Sequence, residues 1–361
     1  MDLVLYNIFN NQIKRCLLNP LMKIAQIAPI IERVPPKTYG GTERVVCTLT
    51  EELVRQGHDV TLFASKDSKS SAKIKAVLVK SARELKFDFW GYSAFTLYNI
   101  AACLKRAEEF DVIHDHNSFF ALGFAELIEK PLVVTCHGDF DNEFAPVYRN
   151  LKNARLVAIS KSQASYLEGR KFEGVVYNGL SMEHYPFSDV HEGYLLYVGR
   201  ISMQKGVHFA VQVAKALGLP LILAAKVDVA DRPYFDKFIK PHLSEKIRWI
   251  GEVDERKRNQ LMCKALCLLH PVTWPEPFGL TLIESMACGC PVVAFGNGSI
   301  PEVVLNNKSG FVVRDVKSMI RAVNNISSID RKFCRKYSLE NFSAGKMAEG
   351  YLKIYKKVYK F

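Results

Sequence analysis

Residues 275–284 read PEPFGLTLIE, and the rest of the chain is organised around them. Two glutamates, Glu276 and Glu284, have seven residues between them. Phe278, Gly279 and Leu280 then open an apolar, helix-forming run that continues through Ser285, Met286, Ala287 and Cys288. The pattern places Glu276 in a loop and Glu284 two turns into a helix. At about 1.5 Å of rise per residue, Gly279 and Glu284 lie roughly 7–8 Å apart along the axis. That is the span of a diphosphate bridging two sugars. Free amides at a helix start, at the positive end of its dipole, suit a phosphate. A carboxylate on either side can hold hydroxyls. The stretch therefore reads as a clamp for a nucleotide-sugar, against the plainer reading of a capped helix with a solvated glutamate.

With its continuation ACGCPVVAFGNGSIPEVV (287–304), this stretch resembles the Glu-x7-Glu signature of glycosyltransferase family 4, retaining enzymes of GT-B architecture. The resemblance covers nearly the whole chain after Met22 and is strongest from Arg200 to Val304. It implies that Glu276, Phe278, Gly279 and Leu280 hold the transferred sugar and phosphates, and that Glu284 holds the ribose. Gly199-Arg200 and Lys205-Gly206 resemble the family's G-R-x4-K-G element. A departing nucleoside diphosphate gains negative charge; Arg200 offers a fork of donors and Lys205 a compact charge. His137, in Thr135-Cys136-His137-Gly138, matches a family histidine near the reaction centre, which makes His137 and Glu276 the catalytic candidates. Gly41 matches a glycine beside the donor diphosphate, and Val253 a position whose backbone meets the base. His116, Asn117 and Asp139 are weaker candidates for sugar or acceptor hydroxyls.

A length of 361 residues favours two domains, and 48% hydrophobic content is ample for two cores. No run of about 18 apolar residues suggests a membrane span. Nine cysteines form no regular framework, which favours free thiols in a reducing cytoplasm. Cys288 and Cys290 could suggest a metal pair, but two ligands make no zinc site. The net charge of +12 is uneven. Residues 22–185 hold 21 basic and 20 acidic side chains, whereas 186–361 hold 26 and 16. No nucleic-acid-binding motif accompanies the excess, which leaves two readings: a merely solvated basic face, or weak attraction to an anionic membrane surface, peripheral on the inner face.

Residues 1–21 carry Lys14 and Arg15 after apolar residues, the reverse of a signal peptide, and read as an extension ahead of a start near Met22. Residues 23–30 form an apolar strand, 43–56 a helix after Gly40-Gly41, and 60–65 the next strand, a Rossmann-like opening without the G-x-G-x-x-G fingerprint of a dinucleotide site. Strands follow at 111–116, 132–137, 155–160 and 175–179. The pattern restarts at 194–200, with strands at 221–225, 247–253, 267–271, 291–295 and 310–313 and helices at 206–217 and 316–326. The expected fold is α/β, of GT-B type, with two Rossmann-like parallel-sheet domains facing a cleft. The boundaries fall at 22–185 for the acceptor domain and 186–340 for the donor domain. By the resemblance, a last helix at 344–359, within 341–361, crosses back to the first domain.

The expected reaction moves a hexose from a nucleotide-sugar, a UDP-sugar by preference, to an acceptor hydroxyl. Asp139-Phe140-Asp141 spells D-x-D, but three letters recur by chance and Arg200 with Lys205 already serve the diphosphate, so no metal or other cofactor is expected. No nucleophilic carboxylate stands out beyond Glu276, which favours front-face transfer in which the leaving phosphate takes the acceptor's proton. The rival readings are an epimerase or hydrolase of the same architecture, a silent donor-binding protein, and a metal-dependent hydrolase built on His114, His116, His137 and Asp139. The acceptor (polysaccharide, lipid-linked glycan or small metabolite) is not legible.

Overall fold

The computed structural model describes residues 21–359 apart from 39, 139, 141 and 142; the expectations for 1–20 and for Asp139 and Asp141 fall outside these residues. The first sheet contains β1 Lys23–Ile27, β2 Asp59–Phe63, β3 Lys73–Lys75, β4 Val112–Asp115, β5 Leu132–Thr135, β6 Arg155–Ala158 and β7 Gly174–Val175. Its order is β3-β2-β1-β4-β5-β6-β7, with every pair parallel. The second contains β8 Leu195–Arg200, β9 Leu221–Lys226, β10 Ile247–Gly251, β11 Cys267–His270, β12 Val292–Phe295 and β13 Gly310–Val313, ordered β10-β9-β8-β11-β12-β13 and again all parallel. Such strands are buried on both faces, which is why they read as apolar runs rather than alternations. In each sheet the strand order reverses beside the first strand, between β1 and β4 and between β8 and β11. That opens a crevice at the carboxyl ends, where α/β proteins bind ligands.

The fold is therefore a pair of Rossmann-like lobes. The helix Gly41–Arg55 covers one face of the first sheet with Val45, Val46, Leu49 and Leu53. The helix Ala344–Tyr359 lies beside it, although its sequence follows the second lobe. It buries Met347, Ala348, Tyr351, Leu352, Ile354 and Tyr355 in one cluster with Ile24, Val112, Val133 and Val157. The chain crosses between lobes twice at one place: Leu180 donates its N–H to the Phe342 carbonyl at 3.0 Å, and Ala344 donates to the Leu180 carbonyl at 3.0 Å.

Three differences from the sequence reading have physical causes. The signature helix spans Leu280–Ala287, so Glu284 is its fifth residue and sits little more than one turn inside. The short edge strand β3, KIK with both lysines exposed, carries no apolar pattern; charged side chains there discourage edge-to-edge pairing. The helix Phe89–Leu104 is apolar nearly all round and shows no clean helical period, yet Asp88 caps it by accepting from the Gly91 N–H at 2.8 Å. Each of the eight described cysteines is a free thiol, and all but Cys47 are buried.

Tyr351 is fully buried between the last helix and the first sheet. Tyr351→Ala is expected to lower stability by about 3–5 kcal/mol, the usual cost of emptying an aromatic site. Urea unfolding checks this; a loss under about 1 kcal/mol would show that the last helix adds little to the first lobe.

Candidate active site

A cavity of about 650 Å³ lies between the lobes. Gly41, His116, Asn117 and His137 line it from the first lobe. Arg200, Lys205, Val253, Glu276, Phe278, Gly279, Leu280 and Glu284 line it from the second. Every described candidate from the sequence is thus on one surface, although their positions run from 41 to 284. Two helices begin there, Gly41–Arg55 after Gly40 and Leu280–Ala287 after Gly279, and neither has a side-chain cap. They nearly touch: a Cβ on Gly41 would stand 3.4 Å from Leu280 Cδ1. Uncapped first-turn amides from two helices, both at positive dipole ends, therefore face one volume.

Glu276 is 8% exposed and held on one oxygen. Lys205 Nζ lies 2.5 Å from Oε2, and Trp274 Nε1 donates to the same atom at 2.9 Å. Lys205 also stands over the Trp274 ring, 4.8 Å from its centroid. Burial pushes the Glu276 carboxyl upward, but the Lys205 charge, His270 and the two hydrogen bonds outweigh it and hold the group below its ordinary value. The loop is fixed from behind. Ser299 donates its N–H to the Glu276 carbonyl at 2.9 Å, and Asn297 Nδ2 donates to the Val272 carbonyl at 2.7 Å. Gly298, at φ 64°, lies so close that a Cβ would stand 2.4 Å from both N and O of Glu276. Phe278 turns its ring into the core beside Phe342, which leaves its backbone to the cavity.

Glu284 is fully buried, yet two arginines reach it from opposite lobes: Nη2 of Arg44 lies 2.5 Å and Nη2 of Arg258 2.7 Å from Oε1. These are close ion pairs rather than aligned hydrogen bonds, and neither carboxylate oxygen has a hydrogen-bond partner among the described residues. A ligand hydroxyl can supply one. Burial opposes the charge on Arg44, but Glu284, then Tyr185 and Glu255, raise its pKa above the ordinary value. Arg200 is held loosely, 3.7 Å from Asp228 and 3.6 Å from Asp231, and Lys226 lies 3.0 Å from Asp228.

The first-lobe histidines sit in a buried polar chain. His137 Nε2 lies 2.9 Å from His116 Nδ1, and His116 Nε2 lies 2.7 Å from Gln26 Oε1. Gln26 Nε2 donates to the Tyr355 hydroxyl at 3.1 Å, which lies 2.6 Å from His114 Nδ1. His114 Nε2 meets Thr135 Oγ1 at 2.7 Å, and Thr135 meets the Tyr351 hydroxyl at 3.0 Å. Both ring nitrogens of His114 and of His116 are thereby engaged. That leaves neither ring a free nitrogen for a metal, and no metal-holding group of three acidic, histidine or cysteine residues occurs among the described residues, which do not include Asp139. Asn117 anchors the neighbouring turn, with its N–H and Nδ2 each 2.7 Å from the Asp115 carboxylate.

Arg44, Arg258, Trp274, His270, Lys226 and Glu43 line the cavity too and were not singled out from sequence. Trp274 and His270 lie within six residues of Glu276, so a polar strand end beside the signature was an available signal. Arg44 and Arg258 carried none, since each looks like a solvated helix position until the lobes meet.

A model described as Glycosyltransferase Family 4 matches residues 39–184, and one described as Glycosyl transferases group 1 matches 186–339. The chain is 26% identical over 347 residues to a glycogen synthase of Mycobacterium tuberculosis, across 81% of this chain and 83% of that protein. It is 26% identical over 329 residues to a phosphatidyl-myo-inositol mannosyltransferase of Propionibacterium freudenreichii, across 83% of each. The Anabaena protein HepE, solved in complex with UDP and glucose, superposes with a TM-score of 0.70 at 20% identity, covering 93% of this chain and 100% of that one. The two lobes and the cleft between them define a glycosyltransferase of GT-B architecture. Within that class, the chain belongs to glycosyltransferase family 4.

Gly298→Ala should drive a methyl into the Glu276 backbone and displace that carboxylate. Loss of most nucleotide or donor binding, measured by calorimetry on folded protein, is the expected result; unchanged binding would show that the loop does not need this support. His270 is buried in the same corner, and burial first, then the Lys205 charge, lowers its pKa to about 4 despite the Glu276 carboxylate. The unfolded chain therefore takes up a proton near pH 6.5 that the folded one refuses until about pH 4, and the associated stability is lost across that window as pH falls. Buried Glu43 and Asp115, raised to about 7, act in the opposite sense, so the variant comparison is the informative one. Between about pH 7 and about pH 4.5, His270→Gln should lose less in thermal midpoint than the parent protein. Equal losses would mean that His270 titrates normally.

Proposed function

We propose that this glycosyltransferase is a retaining enzyme that moves a hexose from a UDP-sugar to an acceptor hydroxyl without a metal. One observation carries the reading: two uncapped helix starts, Arg200, Lys205, Glu276 and Glu284 line one cavity between the lobes. The diphosphate would lie across the Gly41 and Leu280 amides, with Arg200 and Lys205 balancing the charge that grows as the bond to the sugar breaks. Glu284 would take the ribose hydroxyls and Glu276 the sugar. HepE, crystallised with UDP and glucose, supports UDP as the nucleotide.

Front-face transfer fits the state of Glu276. Its Oε2 is tied to Lys205 and Trp274, which suits a hydroxyl-binding group better than a nucleophile. In this mechanism the leaving phosphate accepts the acceptor's proton while Arg200 and Lys205 stabilise it, and the lobes keep water from the donor. The first lobe, with His116, Asn117 and His137 at its strand ends, would receive the acceptor. The acceptor is a glycan, a lipid-linked sugar or a small metabolite. The reading places the enzyme in the cytoplasm, with a weak pull toward an anionic membrane face from the basic second lobe; no helix among the described residues is long and apolar enough to cross a membrane.

Thermal-shift titration with UDP, GDP and ADP tests the donor. UDP should raise the midpoint most, since a ligand that binds only the folded chain stabilises it by mass action. Glu284→Ala should shrink that shift at least several-fold. Absence of a shift with all three nucleotides would overturn the reading. Incubation with labelled donor alone separates transfer from the epimerase or hydrolase alternative, which would yield epimer or free sugar at full rate without an acceptor.

A further inference from the structure

The hydrogen-bond chain behind His137 has a direction, and one residue sets it. Along the first sheet, each strand facing the last helix begins apolar and ends polar: Ile24 then Gln26, Val112 then His114 and His116, Val133 then Thr135 and His137. Register pairs Gln26 with His114. These side chains meet Tyr351 and Tyr355 from the last helix, and all but His137 are buried. Six polar groups behind His137 are costly to bury, and apolar residues would pack there at lower cost. What the polar version provides is connectivity from the cleft to the last helix.

A neutral imidazole has one donor and one acceptor, and a hydroxyl has one proton, so protons along such a chain point one way or the other. A primary amide accepts only at oxygen and donates only at nitrogen. Gln26 places Oε1 at 2.7 Å from His116 Nε2 and Nε2 at 3.1 Å from the Tyr355 hydroxyl. His116 therefore carries its proton on Nε2 and leaves Nδ1 as an acceptor. His137 Nε2, 2.9 Å away, must then be the donor. The lone pair of His137 falls on Nδ1, which has no protein partner among the described residues, on a residue that lines the cavity. On the other side the Tyr355 hydroxyl accepts from Gln26 and donates to His114 Nδ1, which puts the His114 proton on Nε2 toward Thr135. Were the Gln26 amide reversed, every proton would reverse, and His137 would offer the cavity an N–H instead.

We propose that Gln26 is a positioning residue which, braced by Tyr355 and acting through His116, holds His137 in its Nε2–H form. His137 then meets substrate as a hydrogen-bond acceptor, for a hydroxyl of the sugar or the acceptor. This rests on the sugar-transfer reading for its substrate but not for its tautomer. The last helix, which crosses from the second lobe, thus sets the hydrogen-bonding sense of the cleft as well as closing the first core.

Ring-nitrogen NMR on histidine-labelled full-length protein reads the tautomers without substrate. In the parent protein, His116 and His137 should each show a single Nε2–H form with a slowly exchanging ring proton. Gln26→Met removes the amide, and Tyr355→Phe removes only the hydroxyl that braces it. Both should speed exchange of the His137 ring proton and mix its tautomers, whereas Gln26→Glu, which keeps an acceptor for His116, should retain the single form. Donor turnover should fall about ten-fold in kcat for the first two variants with little change in donor KM, and recover in the third. An Nδ1–H form of His137 in the parent protein overturns the proposal. So does a His137 signal that is the same in Gln26→Met and Tyr355→Phe as in the parent. Failure of every nucleotide to bind would sink the sugar-transfer reading instead and leave the tautomer result standing.

Discussion

The cleft depends on keeping two carboxylates charged inside protein. Glu276 and Glu284 are both buried, and an isolated buried carboxylate would neutralise rather than stay ionised. Each is answered by cations placed beside it: Lys205 for Glu276, and Arg44 with Arg258 for Glu284. The arrangement is poor as a source of stability, because desolvation of such groups consumes most of what their attraction returns. It makes sense as a binding surface. Neither oxygen of Glu284 has a hydrogen-bond donor among the described residues, which leaves both available to a ligand hydroxyl.

That charge arrangement explains features that would otherwise look unrelated. The left-handed Gly298 sits against the Glu276 backbone because the loop must be stiff if the carboxylate is to stay under Lys205 and Trp274. The helix starts at Gly40 and Gly279 lack side-chain caps, so their amides remain for a ligand. The double crossing of the chain at Leu180 and Ala344 ties the lobes, and the Lys161 and Ser162 N–H groups and the Tyr177 hydroxyl add a second tie by donating to Glu302. Arg44 reaches Glu284 from the first lobe, so the position of the lobes bears on the surroundings of that carboxylate.

The first lobe solves a different problem. Its polar strand ends are not charged but neutral, linked through Gln26 and two tyrosines into a single path. Burial lowers the pKa of His114, His116 and His137 below the ordinary value for each ring, His137 to about 4. A neutral histidine suits a cleft whose cations Arg200 and Lys205 come from the other lobe. The division is physical: Arg200, Lys205, Glu276 and Glu284 line the cleft from the second lobe and neutral His116, Asn117 and His137 from the first, with one uncapped helix start from each.

Much of this was legible in the chain itself. Apolar runs of four to six residues bounded by glycine and polar turns fixed the parallel strands, because burial on both faces leaves no alternation to misread. The spacing of Glu276, Phe278-Gly279-Leu280 and Glu284 marked a helix start flanked by two glutamates, since a helix start and the residues around it are local in sequence. The edge strand Lys73–Lys75 escaped because its position comes from pairing with β2 and not from its own pattern. Arg44, Arg258 and Gln26 escaped for the same reason in three dimensions. An arginine on a helix and a glutamine in a strand have no meaning until a second lobe, or a helix from the far end of the chain, is laid against them. The sequence determined which local elements form and which of their ends carry the polar residues that line the cleft. Only the tertiary structure decided which charges answer each other and which way the histidine protons point, because those depend on distances between residues far apart in the chain.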